Sequence, residues 1–156
     1  MQTDLLSDAK NLDKACVHAS CVSVEGRGVL IIGASGTGKS GLALQMMAFG
    51  TDLVADDRVI LEMVEERVIA SAVPHLRGLI EARHIGLLKT PAVESTPVTY
   101  VVDLSQSEPA RFPEQITVQV LRQTVPLLRG AGVPNLAAAL VQLLKYGRVD
   151  AEWPNT

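Results

Sequence analysis

Short apolar runs, cut by glycine, proline and paired acids, dominate the chain, and only two stretches carry a helical period. Cys16–Val24 alternates apolar and polar positions and predicts a strand. Glu25-Gly26-Arg27-Gly28 is a hairpin signal, so this strand is expected to pair antiparallel with the apolar run Val29–Ile32. A helix is expected from Gly41 to about Phe49, with Gly50 as its stop. Leu53-Val54-Ala55 predicts a short buried strand that ends in Asp56-Asp57. Arg58–Glu62 and Glu66–Ala70 predict a second hairpin around Glu65-Glu66. Pro74–Gly78 reads as a connection, and Leu79–Leu88 fits either strand or loop. Val98–Leu104 predicts a strand, Ser105–Gln115 a polar surface loop, and Ile116–Val125 a further strand. Pro134-Asn135 opens a helix over about Leu136–Tyr146, stopped by Gly147. The expected fold class is α/β, strand-rich, with one helix after a glycine-rich loop and one near the C-terminus.

A chain of 156 residues with 47% apolar residues has the size and composition of one folded domain. Residues 1–14 read as a flexible N-terminus, 15–147 as the domain, and 148–156 as a tail. A net charge of −3 argues against a nucleic-acid partner, which usually meets a basic surface. No run reaches the ~18 apolar residues of a membrane span, and the polar N-terminus resembles no secretory signal. The expected location is the cytoplasm. Cys16 and Cys21, five residues apart without a second pair, read as buried thiols rather than as a metal or disulfide site. Met46-Met47 reads as core filler.

Gly33-Ala34-Ser35-Gly36-Thr37-Gly38-Lys39-Ser40 changes the picture most, because it is G-x-x-x-x-G-K-S between a predicted strand and a predicted helix. Glycines let backbone N–H groups turn toward an anion, and the helix N-terminus adds partial positive charge. In such a phosphate-binding loop Lys39 reaches the β- and γ-phosphates and Ser40 ligates Mg²⁺. A nucleotide or polyphosphate, with Mg²⁺, is therefore the expected ligand. With 3% aromatic residues the chain has few rings to stack on a base, which fits a site that grips phosphates above all. The acidic pair Asp56-Asp57 begins only seventeen residues after Lys39, on the very next strand. Common P-loop enzymes carry their acidic metal residue on a later strand. Phosphoryl transfer to a hydroxyl needs a proton acceptor and charge neutralisation, and this pair can supply both. Asp103 and Glu108 have no role assigned by the sequence.

Four stretches in order resemble the catalytic domain of HPr kinase/phosphorylase: His18 before the hairpin, the loop Gly33–Ser40, Leu53-Val54-Ala55-Asp56-Asp57-Arg58, and Leu79-Ile80-Glu81-Ala82-Arg83-His84-Ile85-Gly86-Leu87-Leu88. The resemblance covers about Ala15 to Tyr146. It implies a P-loop fold related to phosphoenolpyruvate carboxykinase, and ATP- and Mg²⁺-dependent phosphorylation of a serine on HPr, the phosphocarrier protein of the sugar phosphotransferase system. It implies Asp57 as proton acceptor supported by Asp56, Glu81 as a second Mg²⁺ ligand beside Ser40, and Arg83 as a cation for phosphate or an acid. His18 and Arg111 are implied as further catalytic groups, and the assembly as a homo-oligomer, a hexamer.

Three features depart from the family's pattern. Longer members carry an N-terminal domain that this chain is expected to lack, and a further C-terminal helix. Ala82 and His84 stand where Ile and Gly are usual. In Arg129-Gly130-Ala131-Gly132-Val133-Pro134-Asn135-Leu136-Ala137 no Arg precedes Asn135. The family associates that loop with phosphorolysis of phosphoserine, so the kinase direction is expected to dominate. A different class, a nucleotide-sensing module without turnover, shares the loop but has no need of a proton acceptor. An ordinary small-molecule P-loop kinase is disfavoured by the early position of the Asp pair.

Overall fold

A thirteen-residue strand, β9 (Ser95–Ser107), is the axis of the fold. The computed structural model describes residues 12–149. Before β9 come β1 (Lys14–Val17), β2 (Ser20–Val24), β3 (Arg27–Ile32), β4 (Asp52–Ala55), β5 (Val59–Val64), β6 (Arg67–Ala72), β7 (Leu79–Ala82) and β8 (Gly86–Lys89). After it come β10 (Ile116–Val120) and β11 (Gln123–Ala131). The helices are α1 (Lys39–Ala48) and α2 (Leu136–Tyr146), and a 3-10 turn spans Pro74–Leu76. Lys14, placed by its polarity in the flexible start, already belongs to β1; residues 1–11 and 150–156 lie outside the described residues.

Nine strands form one sheet in the order β1-β5-β6-β9-β3-β2-β4, with β11 also on β9 and β10 beyond it. β3 and β11 run parallel to β9, β6 antiparallel. Alternation along β3 feeds both faces. Leu30 and Ile32 enter a core shared with β1, β5 and β10, while Val29 and Ile31 face α1 and α2. These four side chains have no exposed surface. Full burial of one such side chain contributes about 1.5–3 kcal/mol, which explains the unbroken apolar run. Arg27, at the start of β3, donates to the carbonyls of Leu144 and Lys145, both at 2.9 Å, and so caps the C-terminus of α2.

The β2–β3 turn places Glu25 and Gly26 at φ +53° and +75°, the tight two-residue hairpin its sequence predicts. The β5–β6 turn does the same with Glu65 and Glu66. α1 and α2 fall where the periodicity and glycines put them. Two predicted strands are instead pairs. Cys16–Val24 breaks at His18-Ala19, because β1 pairs with β5 whereas β2 pairs with β3 and β4. Ile116–Val125 folds back at Leu121-Arg122, with the buried Leu121 at φ +52° and no Gly or Asn to mark the turn. β11 then continues through Pro126, which lies opposite Thr117 before the parallel pairing with β9 begins at Leu127. Leu79–Leu88 is a separate two-stranded hairpin, β7–β8. The expectation of buried thiols holds for Cys21 and fails for Cys16, which is exposed on β1; both are free.

Candidate active site

Strand order brings three chain segments to one end of the sheet. β3 and β4 run parallel with β2 between them, so the end of β3, the start of β2 and the end of β4 meet. The cleft there, about 480 Å³, is lined by His18, Ser20, the phosphate-loop residues Ser35, Gly36, Gly38, Lys39 and Ser40, and by Asp57, Glu81 and Arg83. One wall is thus the β7–β8 hairpin.

The loop Gly33–Ser40 turns tightly from β3 into α1. A Cβ on Gly33 would lie 2.5 Å from the Thr37 hydroxyl, so only glycine fits. Gly38, at φ +98°, is the N-cap of α1. The Lys39 ammonium is largely buried in the loop and donates to the carbonyls of Gly33 at 2.8 Å and Ala34 at 3.2 Å. Thr37 donates to the Ala34 carbonyl through both its N–H, at 3.1 Å, and its hydroxyl, at 2.7 Å. The N–H of Ala34 donates to the Ser105 hydroxyl at 2.9 Å.

Asp56 and Asp57 have different environments. Asp56 is 4% exposed. Its Oδ1 accepts from the hydroxyls of Ser20 at 2.6 Å and Ser40 at 2.7 Å, and its Oδ2 from the N–H of Glu81 at 3.1 Å. Asp57 is exposed, at φ +71°, and the N–H of Arg58 donates to the Asp56 carbonyl across it at 2.8 Å. A bond between residues two apart with positive φ at the centre marks the rare, strained form of γ-turn. This kink turns Asp57 into the cleft, where its Oδ1 lies 2.8 Å from Nε2 of His18.

Among the described residues no three His, Cys, Asp or Glu side chains converge on one point. Mg²⁺ is commonly held by one or two protein oxygens, with phosphate oxygens and water completing the shell. The Ser40 hydroxyl on the Asp56 carboxylate fits such a sparse donor set. The Glu81 side chain is exposed and lines the same cleft. Arg111 does not line the cleft. It belongs to a second cavity of about 720 Å³ between the loop after β9, β11 and α2, with its guanidinium 5.2 Å from the centre of the Phe112 ring. Val133 and Pro134 line that second cavity too. Ser20 and Ser105 are contacts that sequence reasoning missed. A serine amid the apolar β2 residues is the one local hint for Ser20; Ser105 carries none.

Fold and site together define a strand-rich P-loop domain whose acidic pair follows directly on the strand after the loop. The pattern of the HPr serine kinase C-terminal domain matches residues 10–136, and the chain belongs to that family. An HPr kinase/phosphorylase of Clostridium novyi (strain NT) is 31% identical over 90% of this chain and 51% of its own length. One of Aromatoleum aromaticum is 33% identical over 89% of this chain and 51% of its own. The chain spans about half the length of these curated relatives. The solved Hpr(Ser) kinase/phosphatase of Coxiella burnetii superposes with a TM-score of 0.73 at 25% identity, covering 84% of this chain and 88% of that one. No described helix is long and apolar enough to cross a membrane.

Proposed function

We propose that this domain transfers the γ-phosphoryl group of ATP to a serine hydroxyl of HPr. The observation that carries the reading is the contrast within the acidic pair: Asp56 is enclosed by three donors, whereas Asp57 is exposed in the cleft with a carboxylate oxygen beyond its His18 contact. The serine oxygen bonds to the γ-phosphorus as its proton passes to Asp57 and the β–γ bridging oxygen leaves with ADP. His18 orients the acceptor carboxylate. Backbone N–H groups of the loop and Lys39 hold the phosphates, and Arg83 stands on the facing wall as a further cation. Ser40 and Asp56, with Glu81 at hand, would hold Mg²⁺, which would neutralise phosphate charge.

The same geometry supports a forward bias. Among the described residues no arginine of the loop before α2 lines the cleft. Arg129 is engaged by Gln106 and Glu108, and Arg122 by Asp13. Phosphorolysis, which needs inorganic phosphate held for attack, is proposed to be weak. A homo-hexamer in the cytoplasm is the proposed assembly, favoured by exposed apolar side chains such as Ile85, Leu87 and Phe112. Light scattering giving a monomer mass at micromolar concentration would overturn the assembly.

The deciding experiment combines the purified chain with γ-labelled ATP, Mg²⁺ and HPr. Phosphoserine on HPr supports the kinase. Saturable ATP binding without transfer would assign a nucleotide-sensing module instead.

A further inference from the structure

Asp103 is a carboxylate with no exposed surface, in the C-terminal half of β9. It lies in register with Ile32 of β3 on one side and Arg129 of β11 on the other. Common P-loop proteins hold their metal with an acid on a strand of this kind. Here Ser40 pairs with Asp56 instead, and both oxygens of Asp103 are turned to other work. Oδ1 accepts the N–H of Ser105 at 2.8 Å, and Oδ2 accepts the side-chain amide of Gln106 at 2.7 Å. Gln106 in turn accepts Arg129 Nε at 3.2 Å. Burial of an acid without such partners would be strongly unfavourable, so the cluster is an ordered whole.

Its outlet is Ser105, whose hydroxyl oxygen accepts the N–H of Ala34. The carbonyl of that same residue collects the Thr37 N–H, the Thr37 hydroxyl and the Lys39 ammonium. Residue 34 is gripped at both ends of its backbone, and its orientation sets where the Lys39 amine sits. We infer that Ser105, held in place by Asp103, is a positioning residue for phosphate binding. It fixes Ala34 and, through it, Lys39 and the curvature of the loop. This rests on reading Gly33–Ser40 as the nucleotide-phosphate site.

The test is calorimetric binding of Mg-ATP and of pyrophosphate to wild type, Ser105→Ala, Ser105→Thr, Asp103→Asn and the Ser105→Ala/Asp103→Asn double variant, with KM and kcat alongside. Loss of one hydrogen bond that orders the loop is expected to weaken both ligands about fivefold to tenfold in Ser105→Ala. KM should rise in parallel while kcat stays within about twofold, and the hydroxyl of Ser105→Thr should restore binding. Asp103→Asn, which keeps one oxygen for the Ser105 N–H, should weaken binding less than Ser105→Ala, and the double variant should lose little beyond Ser105→Ala, because both act through one contact. Wild-type affinity in Ser105→Ala, or equal loss in Ser105→Thr, would overturn the inference. Additive losses in the double variant would show that Asp103 does not act through Ser105. If wild type itself binds neither ligand, the reading of the loop fails first, and the inference with it.

Discussion

Nε2 of His18 and Oδ1 of Asp57 lie 2.8 Å apart across 39 residues of sequence. The contact joins the break between β1 and β2 to the kinked turn after β4. It fixes one carboxylate oxygen and leaves the other open to the cleft. Asp57→Asn keeps the shape but removes the acceptor. Transfer to HPr should fall about 10²–10⁴-fold, with ATP affinity within about twofold of wild type. His18→Ala should give a smaller loss, in kcat rather than in binding. Near-normal turnover of Asp57→Asn in a phosphorylation assay would remove Asp57 from this role.

Lys39→Ala takes away the ammonium that the Gly33 and Ala34 carbonyls hold inside the loop. Nucleotide binding and transfer should both disappear at millimolar ATP. Titration calorimetry that found ATP bound as tightly as by wild type would contradict the phosphate-loop assignment.

Asp56→Ala would leave the Ser20 and Ser40 hydroxyls and the Glu81 N–H without their acceptor, and Ser20 is almost wholly buried. Such orphaned donors cost roughly 2–3 kcal/mol together. The denaturant midpoint should drop accordingly, while Asp56→Asn, which keeps one acceptor oxygen, should cost less. An unchanged midpoint in Asp56→Ala would show that water replaces the carboxylate freely.

His84 sits at φ +71° in the β7–β8 turn, a left-handed conformation that strains any non-glycine side chain. His84→Gly should therefore stabilise the domain by about 0.5–1 kcal/mol, after the entropy glycine adds to the unfolded chain. A fall in melting temperature would mean that the His84 side chain contributes more than its backbone strain costs.

Burial pushes the Cys21 thiol from 9.0 up to about 12, whereas Cys16 is exposed. Below pH 9 the thiol is protonated in both folded and unfolded chains, and its full contribution to stability is present. Between pH 9 and about 12 the unfolded chain loses this proton and the folded one keeps it, so this contribution declines as pH rises. Thiol alkylation near pH 8 should label Cys16 alone, with Cys21 following only on unfolding. Equal labelling of both in the native protein would refute the burial of Cys21.

Much of the local structure was legible along the chain because its causes are local. Glycines, a lysine and a serine in Gly33–Ser40 build a phosphate loop from neighbours in sequence, and the Gly50 and Gly147 stops bound the helices. Glu25-Gly26 and Glu65-Glu66 turn where acids and glycine interrupt apolar runs. Leu121-Arg122 turns without such a signal, since a buried leucine is held there by tertiary packing. Likewise, periodicity cannot show that Cys16–Val24 splits into two strands with different pairing partners.

The division of the acidic pair belongs to tertiary structure. Asp56 and Asp57 are chemically identical neighbours, and only the β3-β2-β4 order brings Ser20 and Ser40 onto one and His18 onto the other. The same holds for Ser105, whose contact with Ala34 spans 71 residues. Arg111 illustrates the converse, a residue matched by its place in sequence yet lining a different cavity. Sequence by itself determined the motif, the helices and the family's residue pattern, because these reside in short-range spacing. Which side chains meet was decided by strand order, because hydrogen bonds act over about 3 Å and the residues they join lie tens of positions apart.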